Sequence, residues 1–313
     1  MGLFDALPSE VSLYEVSLRD GLQNERATVL LRDKIRLADA LASAGLKRIE
    51  LTSFVSPKWI PQLADADELA RHVPKFPGVV WSALCPNERG LERAKAAGIE
   101  EIAVFMSASE THNQRNVNKT IAATLATFDN VIAPAVASGI RVRGYVSTAW
   151  GCPYEGEVPP AKVLAIAHEL ATRGCYQVSL GDTIGCGTPR QTRDLLRLFF
   201  QEFKPSQLGL HMHDTRGTAL ANALAAYEVG VRQFDGSVGG MGGCPYAPGA
   251  SGNAASEDMV NTFEAMGIST GIDLDRLAAA GVYAEEQLGH ELPGRYHLYW
   301  KGARSRAAAA RSA

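Results

Sequence analysis

Two histidines one residue apart, in His211-Met212-His213-Asp214, close an apolar run, Leu208-Gly209-Leu210. Alternate residues of a strand share a face, so both imidazoles point the same way, roughly 7 Å apart at Cα. Such a pair can hold a divalent metal; a hydrogen-bonded structural pair is the plainer alternative. Arg19-Asp20-Gly21 closes a second run, Leu13–Leu18, where the two charges either pair locally or serve a site. One Asp oxygen with two His nitrogens suits a six-coordinate ion such as Mg²⁺ or Mn²⁺ better than a Cys-rich zinc site. Glu50 follows Ile49 at the end of another β-like run, and either binds a ligand or holds Arg19 in position. Asp182, in Leu180-Gly181-Asp182-Thr183, offers one more acid, or else a helix N-cap. Residues 239–253 hold six glycines in fifteen, a conformational cost that a loop closing over substrate would justify. Cys244 lies within this stretch and reads as a catalytic acid or nucleophile rather than as core packing.

These residues need a scaffold that brings distant segments to one rim. β-Branched runs begin near Ser12, Arg48, Val79, Glu101, Arg141, Gln177, Gln207 and Gln233. Ala/Leu-rich segments of helical period lie between them, among them Leu30–Ala44, Pro86–Ala97, Ile121–Ala137, Ala161–Arg173, Gln191–Phe203 and Thr218–Val229. Gly45, Gly98, Gly139, Gly174 and Gly230 stand where helix C-caps belong. Eight strands spaced by about 30 residues predict an α/β fold of the (β/α)₈ TIM barrel type, with extra helices at the C-terminal end. A doubly wound sheet is the alternative, but neither a G-x-G-x-x-G after the first strand nor a Walker loop is found. The sequence predicts one catalytic unit over residues 1–303 and a frayed tail over 304–313. In a barrel the ends of strands one and seven share the mouth, since strand one closes beside strand eight.

Composition narrows the function. The 313 residues carry 31 Lys and Arg against 34 Asp and Glu, a net charge of −3, which argues against nucleic acid or an anionic membrane as main partner. No apolar run approaches the ~20 residues of a membrane helix. Asp5 and Glu10 in the first ten residues, without a basic start and apolar stretch, point away from a signal peptide. Five cysteines without a CxxC fit a reducing compartment, and the cytoplasm is the expected location.

With these residues in view, the sequence resembles the 3-hydroxy-3-methylglutaryl-CoA lyases, members of a metal-dependent lyase and synthase superfamily. The likeness spans about Leu13 to Asp258. It rests on Arg19–Glu25, Thr52–Trp59, Arg143–Ser147, Gly151–Gly156, Ser179–Gly185 and the 242–253 loop. The Phe54–Trp59 stretch and the Gly-Gly-Cys-Pro-Tyr-Ala loop resemble the lyase branch in particular. The resemblance implies metal ligands at Asp20, His211, His213 and Asn253, a catalytic cysteine at Cys244 and a substrate-binding arginine at Arg19. It implies active-site roles for Glu50 and Asp182, with Ser53 beside Arg19 as a second substrate-binding candidate. It also implies an acyl-CoA substrate, a homo-oligomer (a dimer), and retro-Claisen cleavage of 3-hydroxy-3-methylglutaryl-CoA to acetyl-CoA and acetoacetate. Ser17-Leu18 and the 109–119 segment depart from the common lyase form, which admits a related 3-hydroxyacyl-CoA such as citramalyl-CoA. A condensing synthase of the same superfamily is the remaining alternative, although such enzymes generally lack the cysteine loop.

Overall fold

A computed structural model describes residues 9–243 and 252–312. Eight parallel strands close into one barrel in chain order. They are β1 (Ser12–Glu15), β2 (Arg48–Ser53), β3 (Val80–Leu84), β4 (Glu101–Ser107), β5 (Arg141–Ser147), β6 (Gln177–Asp182), β7 (Leu208–Met212) and β8 (Gln233–Gly236). Each begins within one residue of its expected start. β1 and β8 close the ring, Ser12 opposite Gln233 and Glu15 opposite Gly236.

Both faces of these strands are buried, and the alternation sorts side chains between them. Val142, Val146, Leu180 and Leu210 are fully buried in the main apolar core with residues of the surrounding helices. Removing each such side chain from water contributes roughly 1.5–3 kcal/mol. The other parity points inward and is polar to an unusual degree for a barrel: Tyr14, Glu50, Glu101, Arg143 and Asp235 are all buried. Glu101 anchors the lower layer, accepting from Arg48 at 3.0 Å, Arg141 at 2.6 Å and Tyr176 at 3.0 Å.

The five expected C-cap glycines all have positive φ. The single helix expected over 121–137 is instead two, Ile121–Asp129 and Ile132–Ala137. Pro134 explains the break: it lacks an N–H and its ring would strike the carbonyl four residues earlier, at Asn130, where the first helix is capped. After β8, helices Ser256–Ala265, Leu274–Leu288 and Arg295–Ser312 pack on one another, and Leu274–Leu288 also packs on Leu31–Ser43. The last of them runs through the segment expected to fray, residues 304–312, whose alanines are the best helix formers.

Candidate active site

The strand expected to reach Leu18 ends at Glu15, and Ser17–Gly21 forms one π-helical turn. The Gly21 N–H reaches back to the Val16 carbonyl at 3.1 Å, and the Ser17 N–H and hydroxyl both donate to Glu15. This turn changes what the sequence can present. On a strand, Arg19 and Asp20 would face opposite ways; on the wide turn both reach the mouth. Arg19 donates through Nε to Glu50 at 2.7 Å and through Nη1 to Asp20, while its guanidinium lies 5.6 Å from the Tyr145 ring centre.

His211 and His213 project to the same side, their Nε2 atoms 3.2 Å apart. His211 Nε2 is 3.7 Å from Asp20 Oδ2, and one ligand atom from each of the three residues lies within 4.8 Å of the others. Asn253 joins them through the backbone: it bridges His213, and the Ala254 N–H donates to the Met212 carbonyl at 3.0 Å. Its side-chain amide donates to Asp20 Oδ2 at 3.0 Å. Gly242 and Gly252 are tied by an N–H to carbonyl bond of 3.0 Å, which fixes both ends of the glycine-rich loop. A Cβ at Gly242, whose φ is +108°, would lie 2.8 Å from the Asn253 amide nitrogen, so only glycine fits there.

The charge state suits a cation. Burial opposes ionisation of Asp20, yet Arg19 and the two histidines hold its carboxyl below the usual range. Burial, helped by the neighbouring His211, brings His213 down to about 4, so that imidazole is neutral at pH 7. The cluster therefore presents lone pairs from oxygen and nitrogen with no thiolate, which fits a hard or borderline divalent ion.

The remaining expected residues fall differently. Glu50 is the third residue of β2 rather than its last; it is wholly buried just before a register shift between Glu50 and Thr52. Ser53 ends β2, buried, with its hydroxyl 3.5 Å from the Leu84 carbonyl. Asp182 does not face the cluster. In register it stands beside Met212, the parity opposite to His211, and its two oxygens accept from Cys186 N at 2.9 Å and Gly187 N at 2.8 Å. It caps a loop. The helix N-cap suggested for it belongs instead to Thr188, in a capping box with Gln191. Cys244 lies outside the described residues.

Three further residues take part without belonging to a motif that names a role. Asp235 Oδ2 lies 3.2 Å from His211 Nδ1, the carboxylate–histidine pairing that fixes a metal ligand's tautomer. Arg143 grips Asp235 with both terminal nitrogens, at 2.9 and 2.6 Å. Tyr145 donates to Glu50 at 3.4 Å. The signal was the alternation Arg141-Val142-Arg143-Gly144-Tyr145 inside a buried strand, which requires partners across the barrel.

Residues 10–282 match the HMGL-like family. The chain is 49% identical over 287 residues to the mitochondrial hydroxymethylglutaryl-CoA lyase of Macaca fascicularis, covering 92% of this chain and 88% of that protein. It is similar to the crystal structure of the Bacillus subtilis HMG-CoA lyase, with a TM-score of 0.93 and 47% identity over 94% of this chain and 99% of that one. An HMG-CoA lyase from Acinetobacter baumannii, solved with coenzyme A and 3-methylmalate, gives a TM-score of 0.88 and 40% identity over 92% and 94%.

Proposed function

The chain belongs to the HMGL-like family, and from that premise we propose how its barrel mouth carries out carbon–carbon cleavage. The activity is that of a hydroxymethylglutaryl-CoA lyase, releasing acetyl-CoA and acetoacetate from 3-hydroxy-3-methylglutaryl-CoA. The observation that carries the site's part in it is the meeting of Asp20, His211 and His213 beside the ion-paired Arg19.

In this reading Asp20, His211, His213 and the Asn253 side-chain oxygen hold a divalent cation, Mg²⁺ or Mn²⁺. When bound, it supplies Lewis acidity to oxygens of the substrate. Arg19 stands over the mouth with its orientation set by Glu50 and Asp20, and stabilises negative charge that grows on the thioester oxygen as the C2–C3 bond breaks. Ser53, at the end of β2, contributes to substrate binding. Asp182 has both oxygens engaged by backbone N–H groups. Cys244 returns a proton to the carbanion carbon; an ordinary thiol, with a pKa of about 8.5, is mostly protonated at pH 7 and can donate without prior activation. A cytoplasmic homodimer acting on the acyl-CoA completes the proposal, supported by the spacing of the cysteines and by the family resemblance.

The test is incubation with a panel of 3-hydroxyacyl-CoA thioesters, with and without chelator, and product detection by mass spectrometry. Acetoacetate and acetyl-CoA from the methylglutaryl substrate, lost on chelation, are expected. Full turnover in a verified metal-free preparation would sink the mechanism.

A further inference from the structure

Below the mouth lies a side chain that touches none of the reacting groups yet connects to both halves of the site. Arg143 on β5 is wholly buried. Its guanidinium sits 4.1 Å from the ring centre of Tyr14 and 4.8 Å from that of Tyr145. Nε donates to Gln177 at 2.9 Å, Nη1 to Tyr145 at 2.7 Å and to Asp235 at 2.9 Å, and Nη2 to Asp235 at 2.6 Å.

Two routes leave this group. The first runs through Asp235 to His211 Nδ1, and turns Nε2 of that ring toward Asp20 and His213. The second runs through the Tyr145 hydroxyl. That oxygen accepts from Arg143, so its single proton is free for Glu50, and Glu50 in turn receives Arg19 Nε. A planar fork held on two carboxylate oxygens has no freedom to rotate, which a lysine ammonium would retain. The strand opposite makes room for it: a Cβ at Gly209 would lie 2.6 Å from Arg143 Nη2. This accounts for a glycine in the middle of β7, two residues before a metal ligand, where glycine otherwise weakens a strand.

We propose that Arg143 is a positioning residue that sets the metal-ligand histidine and the catalytic arginine together, and that Gly209 is the space it requires. The inference rests on the functional reading above, and its consequences separate by route. Asp235→Asn cuts the first route, and should weaken Mn²⁺ binding, followed by calorimetric titration without substrate, about 10–100-fold. Tyr145→Phe cuts only the second; Mn²⁺ affinity should stay within about twofold while kcat falls about tenfold. Gly209→Ala touches neither route directly, yet by displacing the guanidinium it should lower both Mn²⁺ affinity and kcat by about tenfold or more.

A folded Gly209→Ala protein with wild-type Mn²⁺ affinity and kcat would overturn the proposal. So would Tyr145→Phe loosening the metal as much as Asp235→Asn does, since that marks general softening of the barrel. If Gly209→Ala does not fold, Arg143→Lys decides. Adding Asp235→Asn to it should cost no further metal affinity, and adding Tyr145→Phe no further kcat, whereas independent, multiplicative losses refute the shared origin. A wild-type chain that neither binds Mn²⁺ nor cleaves the thioester would instead bring down the functional reading itself.

Discussion

Arg19 has two duties in this structure, and one double-mutant cycle separates them. It neutralises Glu50, whose carboxylate is wholly buried, and in the proposed mechanism it also meets the developing charge of the substrate. Arg19→Met leaves an uncompensated buried charge, a loss worth about 3–5 kcal/mol. With 313 residues and an unfolding entropy of about 2.1 cal/mol/K per residue, that corresponds to a Tm lower by roughly 5–8 °C. Burial already raises the Glu50 carboxyl, against the pull of Arg19, and losing Arg19 raises it further. Its folded pKa then lies above the unfolded one, so stability is retained at low pH and lost as pH rises through the folded value; the deficit should shrink on acidification. Adding Glu50→Gln removes the charge while keeping an acceptor for Tyr145, and should return most of the lost Tm. It should not return turnover. If Arg19 stabilises the developing thioester oxyanion, kcat falls about 10²–10³-fold in both variants. Calorimetry and steady-state kinetics on the same preparations give both readouts. Recovery of kcat in the double variant, or a change confined to KM in the single one, would refute a transition-state role for Arg19.

Mg²⁺ or Mn²⁺ at a hundred times its Kd should stabilise the chain by about 2.7 kcal/mol, or about 4 °C in Tm. That increment should vanish in His213→Ala, and its persistence there would move the metal elsewhere. Cys244→Ala should lose about 10²–10⁴ in kcat while metal binding and Tm stay as they were, and a bound substrate analogue should protect the thiol from alkylation; wild-type turnover would remove it from the mechanism. Asp182→Ala strips the acceptor from two backbone N–H groups and should cost about 1–3 kcal/mol for each left unsatisfied, with metal affinity unchanged. An unaltered Tm with collapsed kcat would restore Asp182 as a catalytic base.

What the sequence made legible was local. A strand start shows as a β-branched run after a capping glycine, and those signals lie within a few residues, so all eight strand positions could be read. The histidine pair was readable because period two places both rings on one face whatever the partner strand. Asp182 misled for the complementary reason: its nearness to a strand end suggested the mouth, but parity relative to β7 is a matter of register, which no local pattern carries. The π turn at Ser17–Gly21 was hidden because it is built by Glu15, Ser17 and Val238, the last adjacent in the barrel but 223 residues along the chain from Glu15.

The inward charges carry a further signal of this kind. In a parallel barrel strand both faces are buried, so an arginine between valine and glycine cannot point to water. Leaving it unpaired would cost several kcal/mol, which means that Arg143 alone demands an acid inside the barrel. The sequence thus implies that a partner exists, while its identity depends on a contact across 92 residues. Asp235 meets the demand, and as the same carboxylate also faces His211, charge balance in the core and orientation at the mouth become one requirement. A substitution in this column should therefore register in stability and, through the same contacts, in metal affinity and turnover.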